Sequence, residues 1–236
     1  MSVAIYDDLT DEQRLSVEKF YQEVNELLDM VSPGATIELD DDGSLPCNLI
    51  KTPSRSFCAC SPKTPAMLRT LFKLMFPYLR GESVLVDAIN FSEKHADTFN
   101  TFNRINSSNP DLLKTIEMYR KRIRMASNET EIYKIYQEIA YSLHNEIVAA
   151  CVDAKFVVYV DSGNSSTVLV LPSAKLMCEY PIEILGFLSV IKPVGEKELI
   201  ECVKLSTKFG EMFYDLHTFA YDTASEKVQI DISKYN

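Results

Sequence analysis

Three parts of this chain carry residue types able to do chemistry: a cysteine group, a hydroxyl-rich loop and the histidines. Cys58-Ala59-Cys60, with Cys47 upstream, presents the sulfur ligands that zinc prefers. A structural zinc site draws on paired ligands that recur further along the chain, and here no second pair follows. Side chains at i and i+2 share one face of a strand, so burial accounts for Cys58 and Cys60 equally well. Asp161-Ser162-Gly163-Asn164-Ser165-Ser166-Thr167 offers hydroxyls and backbone amides to an anion. Phosphate loops lead from a strand into a helix, whereas this string leads into another β-branched run and reads as a hairpin turn. His95, His144 and His217 are potential bases, but a nucleophile must be brought to them in space, and no local pattern does so. His144 and His217 fall in helical segments near an apolar face, where a hydrogen-bonded structural histidine is the simpler reading. Cys151, Cys178 and Cys202 sit inside apolar patterns as small core residues.

The elements that would position these groups follow from periodicity and capping. Thr10 and Gln13 form a capping box for a helix over 11–31, with Phe20, Val24, Leu27, Leu28 and Val31 on its apolar face. Ser32-Pro33-Gly34 ends it. Strands are expected at 35–39 and 45–50, joined through Asp42-Gly43, with a short strand at 56–60. Thr64 and Pro65 open a helix that Pro77 must kink or end. Residues 83–89 read as a short buried strand, and Ser92 as the cap of a following helix carrying Phe99 and Phe102. Asn109-Pro110 starts another helix, and Asn128 with Glu131 starts a third over Ile132, Ile135, Ile139, Leu143 and Ile147. Those last two, joined by Ala126-Ser127-Asn128, should form an antiparallel hairpin. Strands are expected at 155–160, 167–171, 184–191 and 228–232, with a helix from Glu196 to about Ala220.

The predicted class is therefore α+β: a helical centre with an antiparallel or mixed sheet formed largely by the C-terminal third. The segments are an acidic helix and hairpin over 1–50, a mainly helical region over 51–153 and an α+β region over 154–236. A single α+β domain is the alternative, because the composition shift near 152–155 is modest.

Charge constrains partners more than any motif does. Twelve Asp and Glu residues in the first fifty face only Arg14 and Lys19, so this segment carries the whole net charge of −10. Residues 51–80 then contain six basic and no acidic side chains. Uncompensated charge of one sign raises the surface potential and speeds encounter with the opposite sign. Glu18, Glu23, Glu26, Asp29, Asp40, Asp41 and Asp42 are the expected partner-binding residues. Their partner would be another protein with a basic surface, or a second copy of this chain. Lys51, Arg55, Lys63, Arg120, Lys121, Arg122 and Arg124 are the candidate anion-binding residues of a less favoured reading, a nucleic-acid or phosphate-ligand binder. Cations at the end of a helix also complement its dipole, which explains Arg120 to Arg124 without a ligand.

Seven scattered glycines supply no phosphate-cradling spacing. No secretory signal or membrane-length apolar run is visible, so the expectation is a soluble, intracellular and cytoplasmic protein with reduced cysteines and no membrane partner. No cofactor, metal or catalytic residue is called for. The leading expectation is a non-enzymatic interaction component, in an assembly, adaptor or regulatory role. A hydrolase or transferase with a dispersed active site is the third reading.

Overall fold

The computed structural model describes residues 9–40, 47–59, 61, 63–75, 77–161 and 164–224. The protein is α+β. In chain order the elements are α1 (Asp11–Val31), β1 (Thr36–Asp40), β2 (Cys47–Lys51), β3 (Ser56–Ala59), α2 (Thr64–Met75), α3 (Glu82–Ser108), α4 (Asp111–Met125), α5 (Glu129–Ala150), β4 (Lys155–Asp161), β5 (Asn164–Val170), β6 (Lys175–Met177), α6 (Pro181–Ile191) and α7 (Glu196–Ala224). Among the described residues, no helix is long and apolar enough to cross a membrane. The strands form two antiparallel three-stranded sheets, ordered β1-β2-β3 and β4-β5-β6, so one sheet belongs to the first sixty residues and the other to the C-terminal half. The chain divides into two compact units, one of residues 1–101 and 214–236, the other of residues 102–213.

The first unit is built on α1. Thr10 Oγ1 accepts from the Gln13 amide and Gln13 Oε1 accepts from the Thr10 amide, so the capping box forms as the sequence predicts. Val24, Leu28 and Val31 are fully buried on one stripe, at the three- and four-residue spacing of a helix face. Ile37 pairs with Ile50 across β1 and β2, and both are buried. In α2, Leu68, Leu71, Phe72 and Met75 have no exposed surface. The helix stops at Met75, two residues before Pro77, whose ring cannot continue it.

Residues 83–89 are helix rather than strand. Val84-Leu85-Val86 is short, apolar and flanked by β-branched valines, and such a run cannot be told from a strand by itself. Burial recurs at Leu85, Ala88, Ile89, Ser92, Ala96 and Phe99, a three- and four-residue period that only a helix provides. Glu82 starts it after Gly81, whose φ of 92° suits glycine and whose N–H donates to the Val31 carbonyl. Ser92 is therefore buried inside α3 and caps nothing.

In the second unit, Phe102, Phe187 and Phe209 form an aromatic cluster, with Phe102 and Phe209 stacked at 4.2 Å between ring centroids. The α4–α5 hairpin forms, with Asn128 Oδ1 accepting from the Glu131 amide at its turn. Residues 184–191 are the helix α6, not a strand. Ile182, Ile184, Leu185, Phe187 and Leu188 are all buried, and a helix apolar on every side shows no alternation against which to test a strand. Pro181 opens it and Lys192, at φ 48°, ends it in the left-handed region. Strands β4 and β5 pair from Lys155 with Val170 to Asp161 with Asn164, as the expected hairpin requires. The Asp42-Gly43 turn and the strand expected at 228–232 lie outside the described residues.

Candidate functional site

The residues expected to dock a partner separate into three groups. Glu23 is half-buried and neutralised by basic residues that follow it in sequence. Its Oε2 accepts from Arg69 Nε and its Oε1 from Lys73 Nζ, each at 2.7 Å. Arg69 and Lys73 are four residues apart on α2 and so reach the same carboxylate. Arg69 also lies over the Phe20 ring, 5.7 Å from its centroid. The Lys73 and Arg69 hydrogen bonds, in that order, hold the Glu23 carboxyl below its ordinary range. Glu23 is a clasp between α1 and α2.

Glu18, Glu26 and Asp29 remain exposed. Asp29 accepts from the Gly34 amide at 2.7 Å, which secures the end of α1. Glu26 accepts from Gln22 Nε2 on its own helix. Asp40 ends β1, and Asp41 and Asp42 lie outside the described residues.

Glu18 and Glu26 flank a groove of about 530 Å³ between α1 and β1. From the helix it is lined by Glu18, Tyr21, Gln22, Asn25 and Glu26, and from the strand by Ile37, Glu38 and Leu39. The helix residues fall at the three- and four-residue spacing of one face. β1 is the edge strand of its sheet, and Asn25 binds that edge: its Nδ2 donates to the Ile37 carbonyl at 3.1 Å and its Oδ1 accepts from the Ile37 amide at 2.6 Å. Residues two apart on a strand direct their backbone groups to the same edge. Leu39 therefore aims its N–H and C=O outward beside the groove, and no described side chain takes them as Asn25 takes those of Ile37. Tyr21 donates to the buried Asn48 Oδ1 at 2.6 Å, fixing the groove floor to β2. Glu38 pairs with Lys51 across the strands. The groove thus holds one compensated and two uncompensated carboxylates beside a strand edge.

The candidate anion-binding residues are largely engaged by carboxylates. Lys51 pairs with Glu38, and Lys63 with Asp97 at 2.7 Å. Arg120 pairs with Glu183 and lies 3.4 Å from the centroid of the Phe213 ring. Arg122 grips both oxygens of Glu138 at 2.8 and 2.7 Å, and Arg124 reaches Glu117 at 3.5 Å. Arg55 lies 5.5 Å from the Phe57 ring centroid, and Lys121 is exposed. Lys51, Arg55 and Lys63 belong to one unit and Arg120 to Arg124 to the other.

His95 acquires a partner that no local pattern announced. Its Nε2 lies 2.8 Å from Asp215 Oδ2, 120 positions away, and Lys94 Nζ reaches the same oxygen at 2.7 Å. Burial works to raise the Asp215 carboxyl, but the Lys94 and His95 contacts outweigh it and hold the carboxyl below its ordinary value. Phe91 packs against the His95 ring at 4.8 Å. His144 is exposed and His217 half-buried. Among the described residues, no group of three or more His, Cys, Asp or Glu side chains is placed to hold a metal ion, and Cys60 lies outside that set. Ser162 and Gly163 of the hydroxyl-rich loop are likewise outside it.

No protein-family model, curated protein or solved structure matches this chain.

Proposed function

We propose that this protein acts by binding another protein rather than by catalysis, and that the groove between α1 and β1 receives an extended basic segment of that partner. The observation that carries this reading is the placement of Glu18 and Glu26 beside the outward-facing backbone of Leu39. An added strand satisfies such an edge with main-chain hydrogen bonds, and alternate side chains supply the specificity. Lysine or arginine at alternate positions would face the groove carboxylates. Glu23, neutralised by Arg69 and Lys73, drops out of the docking set.

The test uses a fluorescein-labelled peptide of alternating lysine and valine and reads fluorescence polarisation at low and high salt. Exposed ion pairs contribute roughly 0.2–1 kcal/mol each. The double substitution Glu18→Gln/Glu26→Gln should therefore weaken binding about two- to thirtyfold and flatten its salt dependence. Glu12→Gln, on the first turn of α1, should leave binding unchanged. Equal affinity of wild type and the double variant, or no saturable binding of the peptide, contradicts the reading.

A further inference from the structure

We propose that Cys47 and Cys58 form a dithiol modification site, oxidised to an intramolecular disulfide by a low-molecular-weight disulfide such as glutathione disulfide. Cys47 opens β2 and Cys58 lies on β3. Leu49 is the register partner of Cys58, and Cys47 is two residues from Leu49, so all three share one face of the sheet. The two Sγ atoms meet at 2.6 Å, with Cys58 exposed and Cys47 half-buried. Strand pairing sets Cys47 diagonally across from Cys58, with the two sulfurs already in contact.

The remaining described cysteines lack these features. Cys178 and Cys202 are buried, and burial pushes their thiols up to about 11 and about 12, which keeps them protonated and inert. Cys151 is half-buried at the end of α5. Attack is a thiolate reaction that depends on access, which favours Cys58 as the first residue to react.

The exchange balances in two steps. The Cys58 thiolate attacks one sulfur of glutathione disulfide, forming a mixed disulfide and expelling one glutathione thiolate. The Cys47 thiolate then attacks Cys58 Sγ, forming the Cys47–Cys58 bond and expelling the second. The two thiol protons end on two glutathione molecules. The protein loses two electrons and the glutathione disulfide gains them.

The experiment incubates the full chain in glutathione buffers of graded oxidant ratio, blocks free thiols with N-ethylmaleimide and reads intact and peptide masses. The expected product is lighter than the reduced chain by two hydrogens before blocking and carries two fewer maleimide adducts after it, retains no glutathione and has Cys47 joined to Cys58 by tandem mass spectrometry. Cys60→Ser should give the same product, because Cys60 takes no part in the bond. Cys47→Ser should instead retain glutathione on Cys58, with its adduct outlasting that of the wild type at least tenfold. Two maleimide-reactive thiols at 47 and 58 under fully oxidising conditions overturn the proposal. So does a wild-type Cys58 adduct as long-lived as that of Cys47→Ser, or a bond that maps to Cys60.

Discussion

Gly210→Ala should destabilise this protein, although the same change in an ordinary helix stabilises. Gly210 lies inside α7, where alanine is favoured over glycine by about 1 kcal/mol. A Cβ built there falls 2.3 Å from Tyr180 Cγ, 2.6 Å from its Cδ1 and 2.7 Å from its Cβ. Carbon atoms rest at roughly 3.5–4.0 Å, so the ring would have to retreat by about 1 Å. Its own Cβ is among the crowded atoms and is fixed by the backbone, so a rotamer change does not clear the clash. Overpacking of this kind costs about 1–3 kcal/mol, and the close contact at the ring root places Gly210 toward the upper end. Subtracting the propensity gain leaves a net loss of about 1–2 kcal/mol, or roughly 2–8 °C in Tm for a chain of this size. Gly186→Ala is the comparison: its closest contact is longer, 2.6 Å to Ile116 Cγ1 against 2.3 Å, and its cost should be smaller. In a Tyr180→Ala background, which removes the ring atoms, the cost of Gly210→Ala should fall by more than half. Circular-dichroism melts of the four proteins and the wild type check this. A Tm for Gly210→Ala equal to or above that of the wild type refutes the reasoning.

Arg120→Met should lower stability by about 3 kcal/mol in urea titrations, because it strands the buried Glu183 without its countercharge. Adding Glu183→Leu should recover most of that loss, and an unaffected midpoint for Arg120→Met alone would contradict the pairing. Glu23 supplies a pH dependence. Its folded-state pKa is depressed, first by Lys73 and then by Arg69, so its contribution is present above the ordinary carboxyl value of 4.5 and is lost as pH falls through the lower folded value. Glu23→Gln should therefore be less stable than wild type at pH 6, with the gap closing toward pH 3 in denaturant titrations. A gap that is constant across this range would remove the clasp.

What the sequence makes legible is local. Thr10 with Gln13 and Asn128 with Glu131 announce helix starts because each cap is satisfied within four residues. Amphipathic stripes such as Ile135, Ile139, Leu143 and Ile147 place α5 because only one face is buried. Residues 83–89 and 184–191 read as strands yet fold as helices for two physical reasons. The first run is too short to show its period, and the second has no polar face. The site was legible as charge but not as geometry. Glu23 is indistinguishable from Glu26 in sequence, yet Arg69, 46 positions on, takes one and leaves the other exposed. His95 and Asp215 meet only because α3 and α7 bring them together. The sulfurs of Cys47 and Cys58 meet because β2 and β3 pair, a register that their spacing alone does not specify.

The most direct test of the docking groove is amide chemical-shift mapping of the isotope-labelled protein as the lysine–valine peptide is added. The account predicts shifts concentrated at residues 18–26 and 37–39, with the Leu39 amide newly protected from hydrogen exchange as it gains a strand partner. Shifts centred elsewhere, or a Leu39 amide that exchanges as fast with peptide as without it, would contradict it.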